Sequence, residues 1–171
     1  MNHDWLLFHW DLAAFSGGDR PALPPFVFRR AEADEADVIL RVVASALMME
    51  RAWSGGRGAF GETLEKDCAA ALDAEPPGAV VVQHGSRIIG ASILRTTEDA
   101  ESHLLTGPCI LHEYRSRGLG SALLHDSLEF LRASGLRTAR GFARVNSTAA
   151  RFVYPKFGGT PEPQTSPRLA A

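Results

Sequence analysis

Cysteine is nearly absent from these 171 residues: Cys68 and Cys109 lie far apart and form no C-x-x-C pair, so neither a disulfide framework nor a structural zinc site is expected. That scarcity suits a reducing cytosol, and a cytoplasmic protein without a metal is the expectation. Long hydrophobic runs are missing as well. The one tempting stretch, residues 1–15, is interrupted by Asp4 and Asp11, has no Lys or Arg ahead of it and is too short to span a bilayer, so no membrane role is expected. Polar low-complexity tracts are also lacking, and 22% charged against 45% hydrophobic residues excludes a disordered chain. A single domain of this length buries roughly 70% of its unfolded surface and needs no covalent staple.

The formal charge of −2 conceals an asymmetry. Residues 1–102 hold 9 Lys/Arg against 16 Asp/Glu, whereas residues 103–171 hold 9 against 4. A locally basic C-terminal part favours an anionic ligand there, and the acidic part favours a cationic one near its own mouth. The basic residues are not interleaved with enough aromatics to form a stacking groove, which argues against nucleic acid as a partner.

Punctuation along the chain divides it into an N-terminal arm and linker (1–25), a folded domain (26–160) and a proline-rich tail (161–171). Ser16-Gly17-Gly18 and Pro21, Pro24 and Pro25 mark the linker. Phe26 to Arg30 reads as a strand, and Asp34 as the cap of a helix carrying Val38, Val42, Val43, Ala46 and Leu47 on one face. A second helix carries Leu64, Cys68, Ala71 and Leu72 and stops at Pro76-Pro77. Two β-rich runs, 79–83 and 88–94, flank His84-Gly85-Ser86-Arg87 as a hairpin. A third apolar run covers 103–111, a helix 119–134 with Leu124, Leu128 and Leu131 inward, and a strand 137–143. Asn146 is placed to cap a short last helix ending near Tyr154, and the prolines after Thr160 make the tail a poor strand. This order predicts an α+β fold, an α/β sandwich with a mixed, mostly antiparallel sheet flanked by about four helices.

Chemistry concentrates at Arg115-Ser116-Arg117-Gly118-Leu119-Gly120-Ser121, a basic, glycine-containing turn from a strand into a helix. Free N–H groups at a helix start, the helix dipole and glycines without a Cβ suit the turn to phosphate oxygens, and Arg115 and Arg117 can add charge-assisted bonds. It lacks the third glycine of the dinucleotide fingerprint, since Leu123 stands there, and the lysine of a phosphate-transferring loop. A full G-x-G-x-x-G does occur at Gly56, Gly58 and Gly61, but it follows a helix instead of a strand and reads as a connector or flap, with Trp53 beside it as a candidate pocket residue.

Arg115-x-x-Gly118-x-Gly120 resembles the acetyl-CoA-binding Q/R-x-x-G-x-G/A motif of the GNAT superfamily of N-acetyltransferases. Asn146, Ala149, Phe152, Tyr154, Phe157 and Gly158 are similar to that family's second block, in the same order and at a similar distance. The resemblance covers residues 26 to about 159. It implies a strand pair that splays to admit pantetheine, with Gly107-Pro108 as a candidate irregularity. It also implies that backbone groups of Ile110 and Leu111 hold pantetheine, that residues 115–121 cradle the diphosphate, that Asn146 touches the cofactor arm and that Tyr154 protonates the departing thiolate. His103 and Glu101, at the entry to the splayed strand, are candidate bases for the amine. Acetyl-CoA is the implied cosubstrate and an amine the implied acceptor. A catalytically silent acyl-CoA-binding module of the same fold is the alternative. Family members continue with further strands where this chain has proline, so either the sheet ends early or the N-terminal arm or a partner subunit covers the open edge, and a homodimer is expected.

Overall fold

The structure is a computed structural model that describes residues 4–15, 20–49 and 59–164; Trp53, Gly56 and Gly58 lie outside them. In chain order the strands and helices are β1 (Trp5–Asp11), β2 (Phe26–Arg30), α1 (Ala36–Met49), α2 (Ala59–Leu72), β3 (Ala79–His84), β4 (Arg87–Ile93), β5 (Cys109–Ile110), α3 (Leu119–Ala133), β6 (Thr138–Arg144), the short π-helical α4 (Ala149–Val153) and β7 (Thr160–Gln164). The α+β expectation holds. Strands β2-β3-β4-β5 form one antiparallel sheet and β6-β1-β7 a second.

Local pattern accounts for most of the first sheet and its helices. Ile39, Val42, Val43 and Ala46 recur with helical spacing and are buried where α1 packs over β4 and β5. Leu124, Leu128 and Leu131 of α3 are fully enclosed, and Gly135, at φ +95°, ends that helix. The β3–β4 hairpin turns at Gly85, at φ +61°, and β4 is buried from Ile88 to Ile93 because helices cover both of its faces. The turn into α1 is capped at Glu32 and not at Asp34: the Glu35 carboxylate accepts the Glu32 N–H at 2.8 Å and also holds Arg29.

Two expectations need correction. The first 25 residues are not merely an arm and linker, because Trp5–Asp11 is the central strand of the second sheet. It lies antiparallel to β6, with Trp5 opposite Arg144 and Trp10 opposite Ala139, and antiparallel to β7, with Trp5 opposite Gln164. Phe8 and Leu12 are fully buried and Trp10 nearly so, while Trp5 and Leu7 on the other face are also covered. The tail, in turn, contains a strand despite its prolines. The Val145 N–H bonds the Asp4 carbonyl and the Leu12 N–H bonds the Arg137 carbonyl, so even-numbered β1 residues pair with β6 and odd-numbered ones with β7. Pro161 and Pro163 stand opposite Phe8 and Leu6, in the pairs that need no N–H from β7. Their missing donors all fall on the outer edge.

Leu104 joins the two sheets, bridging antiparallel to Leu94 and parallel to Gly141. The approach is close: a Cβ on Gly141 would lie 2.9 Å from the Leu104 Cβ. Beyond that point the chain breaks register. Thr106 Oγ1 accepts the Ile93 N–H at 3.2 Å and donates to the Gly107 carbonyl, and Gly107 adopts φ +64° before β5 resumes at Cys109. Residues 106–108 are therefore the irregularity, and β5 and β6 separate from there onward.

Because Phe8 is a core residue, Phe8→Ala is expected to cost about 3–5 kcal/mol, read from urea denaturation midpoints. A loosely attached arm would show almost no change.

Candidate functional site

The gap between β5 and β6 is a cleft of about 310 Å³. Thr106, Pro108, Cys109 and Ile110 form one wall and Phe142, Ala143 and Arg144 the other; Ala46 and Leu47 at the end of α1, and Ala149, Val153 and Tyr154 on the opposite flank, close it. The turn Arg115–Ser121 lies at its mouth.

The geometry of that turn follows from its hydrogen bonds. The Tyr114 N–H donates to the Leu111 carbonyl and the Arg115 N–H to the His112 carbonyl; Ser116 and Gly118 then take φ +62° and +78°. From Ser116 to Ser121 no backbone N–H has an acceptor among the described residues, and the Ala122 N–H is the first to bond, to the Gly118 carbonyl at 3.2 Å. Six consecutive amides at the start of a 15-residue helix thus remain open. A Cβ on Gly118 or Gly120 would meet nothing within 4 Å, so the approach is clear.

The two arginines of the turn differ. Arg117 is exposed, with its guanidinium 5.7 Å from the Tyr114 ring centroid. Arg115 lines the cleft and, where a phosphate contact was expected, turns two donors on the protein itself: its Nε donates to the Ile110 carbonyl at 3.2 Å and its Nη2 to the Ala46 carbonyl at 3.0 Å, tying the turn to β5 and α1. Leu111 also departs from expectation. Its N–H is given to the Ile89 carbonyl and its carbonyl accepts Tyr114, so both groups are engaged. The alternation that makes Leu111 face β4 makes Ile110 face the cleft.

Asn146 is exposed and does not line the cleft. The cap that it was expected to supply comes from Ser147, whose Oγ accepts the Ala150 N–H at 3.1 Å. Tyr154 is 1% exposed and lines the cleft. Phe8 and Trp10 of β1 hold its ring edge-on, each with its centroid 5.1 Å away, and its hydroxyl abuts Gly107, where a Cβ would overlap it. Burial raises the phenol pKa above its ordinary value, and Cys109 nearby adds to the shift.

Neither expected base reaches the site. His103 is fully buried outside the cleft, its Nε2–H donating to the Thr97 carbonyl at 3.1 Å and its Nδ1 accepting the Arg140 N–H at 3.0 Å. Both ring nitrogens are engaged, Nε2 within the β4–β5 connection and Nδ1 in fastening that connection to β6. Glu101 lies in that same connection and does not line the cleft either. Among the described lining residues there is no Asp, Glu or His, so the acidic mouth expected from the charge asymmetry is not found there. Arg144, which carries no motif, was not foreseen; only its place on β6 opposite Trp5 reveals it.

A family model described as the acetyltransferase (GNAT) family matches residues 45–159, more than half of the chain. The chain belongs to the GNAT acetyltransferase family. Similar solved structures include a Drosophila protein (16% identity, TM-score 0.62, covering 93% of this chain and 48% of that one). A functionally unknown conserved protein from Staphylococcus epidermidis is 14% identical (TM-score 0.61, 93% and 57%). A GCN5-related N-acetyltransferase from Kribbella flavida is 16% identical (TM-score 0.58, 92% and 54%). At these identities the likeness is one of GNAT fold, and the chain spans about half the length of these structures. No curated protein matches it.

Burial lowers the His103 pKa below the ordinary imidazole value of 6.5, with the Arg140 charge adding to the shift. The unfolded chain therefore takes up a proton as pH falls through about 6.5 while the folded protein resists it. Stability is expected to fall below that pH, by at most about 1.4 kcal/mol per pH unit from this group. Denaturation midpoints at pH 7.5 and 5.5 measure the loss, and His103→Gln should shrink it.

Proposed function

We propose that this protein transfers the acetyl group of acetyl-CoA to an amine by direct attack within a ternary complex. The observation that carries the reading is the run of six open amides, 116–121, at the mouth of a cleft between unpaired strands. A diphosphate with a long, amide-bearing arm matches both features.

In this reading the amides and the dipole of α3 hold the diphosphate, with Arg117 adding charge at the rim. The cleft-facing N–H of Ile110 bonds the pantetheine arm in place of a neighbouring strand. Acetyl-CoA supplies an activated thioester carbonyl. The acceptor amine first gives up a proton to water, since no described lining side chain is a base. Its lone pair then forms the N–C bond, the C–S bond breaks, and Tyr154 passes its phenolic proton to the sulfur. The positively charged nitrogen then releases its extra proton to water, which leaves the amide, and solvent restores the phenol. A raised phenol pKa keeps Tyr154 protonated for this task, and a thiolate of ordinary pKa about 8.5 becomes a stronger base in a dry pocket.

Calorimetry is expected to show acetyl-CoA binding that Gly120→Asp weakens at least tenfold, because the new carboxylate opposes phosphate without steric strain. Tyr154→Phe should lower kcat about a hundredfold with acetyl-CoA affinity unchanged. Rates should rise with pH as the amine deprotonates, with no falling limb from Tyr154 up to about pH 10. Tight cofactor binding with no transfer to any of a broad panel of amines would make the protein a silent acyl-CoA-binding module instead.

A further inference from the structure

Cross-strand partners share a face of the sheet, which sorts the second sheet into two sides. Phe8 and Trp10, opposite Gly141 and Ala139, face Tyr154; Trp5 and Leu7, opposite Arg144 and Phe142, face the other way. On that second side the Arg144 guanidinium lies over the Trp5 ring, 5.0 Å from its centroid, at the wall of the cleft. Its Nε is buried without a hydrogen-bond partner, and no ion pair engages the group among the described residues. A guanidinium at the wall of a cleft, with no carboxylate of the described residues beside it, is the group with which an anion in that cleft would pair. Trp5 fixes the plane of the fork, so the site suits a flat, two-oxygen anion better than a point charge.

Two anions could meet it, a phosphate of the carrier or a carboxylate of the acceptor. The open amides already provide for the diphosphate at the start of α3, whereas Arg144 stands across the cleft on β6. The described lining offers no carboxylate to grip a polyamine. We infer that the acceptor is an amine that also bears a carboxylate, an amino acid or a relative of one, and that Arg144 binds that carboxylate while the amine points toward the thioester. This rests on the acetyl-transfer reading above and names the substrate class of that site.

The test compares acetyl transfer to each of the standard amino acids, to their carboxamides and to spermidine, by thiol release. The acids should be preferred over their carboxamides by about 10- to 100-fold in kcat/KM, the range of a charge-assisted bond. Arg144→Gln should bring that ratio toward one, chiefly by raising KM for the acid, with acetyl-CoA affinity by calorimetry unchanged. Arg144→Lys should restore only part of it. Equal or better use of carboxamides or spermidine overturns the inference, and so does a tenfold loss of acetyl-CoA affinity in Arg144→Gln, which would assign the arginine to the carrier's phosphates. If no amine is acetylated the transfer reading fails by itself. Titration of the same amino acids into CoA-saturated protein then decides the matter: binding lost in Arg144→Gln supports the carboxylate site, and no binding overturns it.

Discussion

Strands that meet and then part must find other partners for the backbone groups they leave bare. Here the meeting point is Leu104 against Gly141, and much of the cleft follows from how that demand is met. Thr106 Oγ1 stands in for a missing strand carbonyl beside Ile93, and the Arg115 Nε takes up the Ile110 carbonyl. What is left unfilled, the Ile110 N–H and the amides from Ser116 onward, is the polar lining available to a ligand. The same defect in pairing thus creates the opening and supplies its donors.

The far wall depends on β1. Without Trp5–Asp11 between them, β6 and β7 would each lose their ladder to β1, and Tyr154 would lose the two rings that fix its own. One segment therefore serves the core through Phe8 and Leu12, the Tyr154 side through Phe8 and Trp10, and the Arg144 side through Trp5. This arrangement makes stability and chemistry hard to separate at the N-terminal end, and it explains why an aromatic-rich strand is placed there.

Legibility in the sequence tracks how local each determinant is. Helices α1 to α3, the hairpin and the Arg115–Gly120 turn are specified by spacing and turn chemistry within a few residues, and they could be read directly. Strand β1 was hidden because its partners lie near the other end of the chain, beyond a Gly- and Pro-rich linker. Proline counts against a strand unless every missing donor falls on one side, and for Pro161 and Pro163 that depends on a register no short window reveals. His103 resembled a base because imidazole chemistry is generic, whereas its ring partners, the Thr97 carbonyl and the Arg140 amide, are brought together only by folding. Arg144 carries no motif, and its significance comes from lying opposite Trp5.

The position of β1 also constrains the order of assembly. A ribosome makes Trp5, Phe8 and Trp10 long before Arg144 and Gln164, against whose strands they must lie. Those rings therefore wait uncovered until β6 and β7 have been made, while the first sheet can already close, and contacts of such long span are slow to form. Until β6 emerges, β1 is thus an apolar surface that a chaperone would shelter.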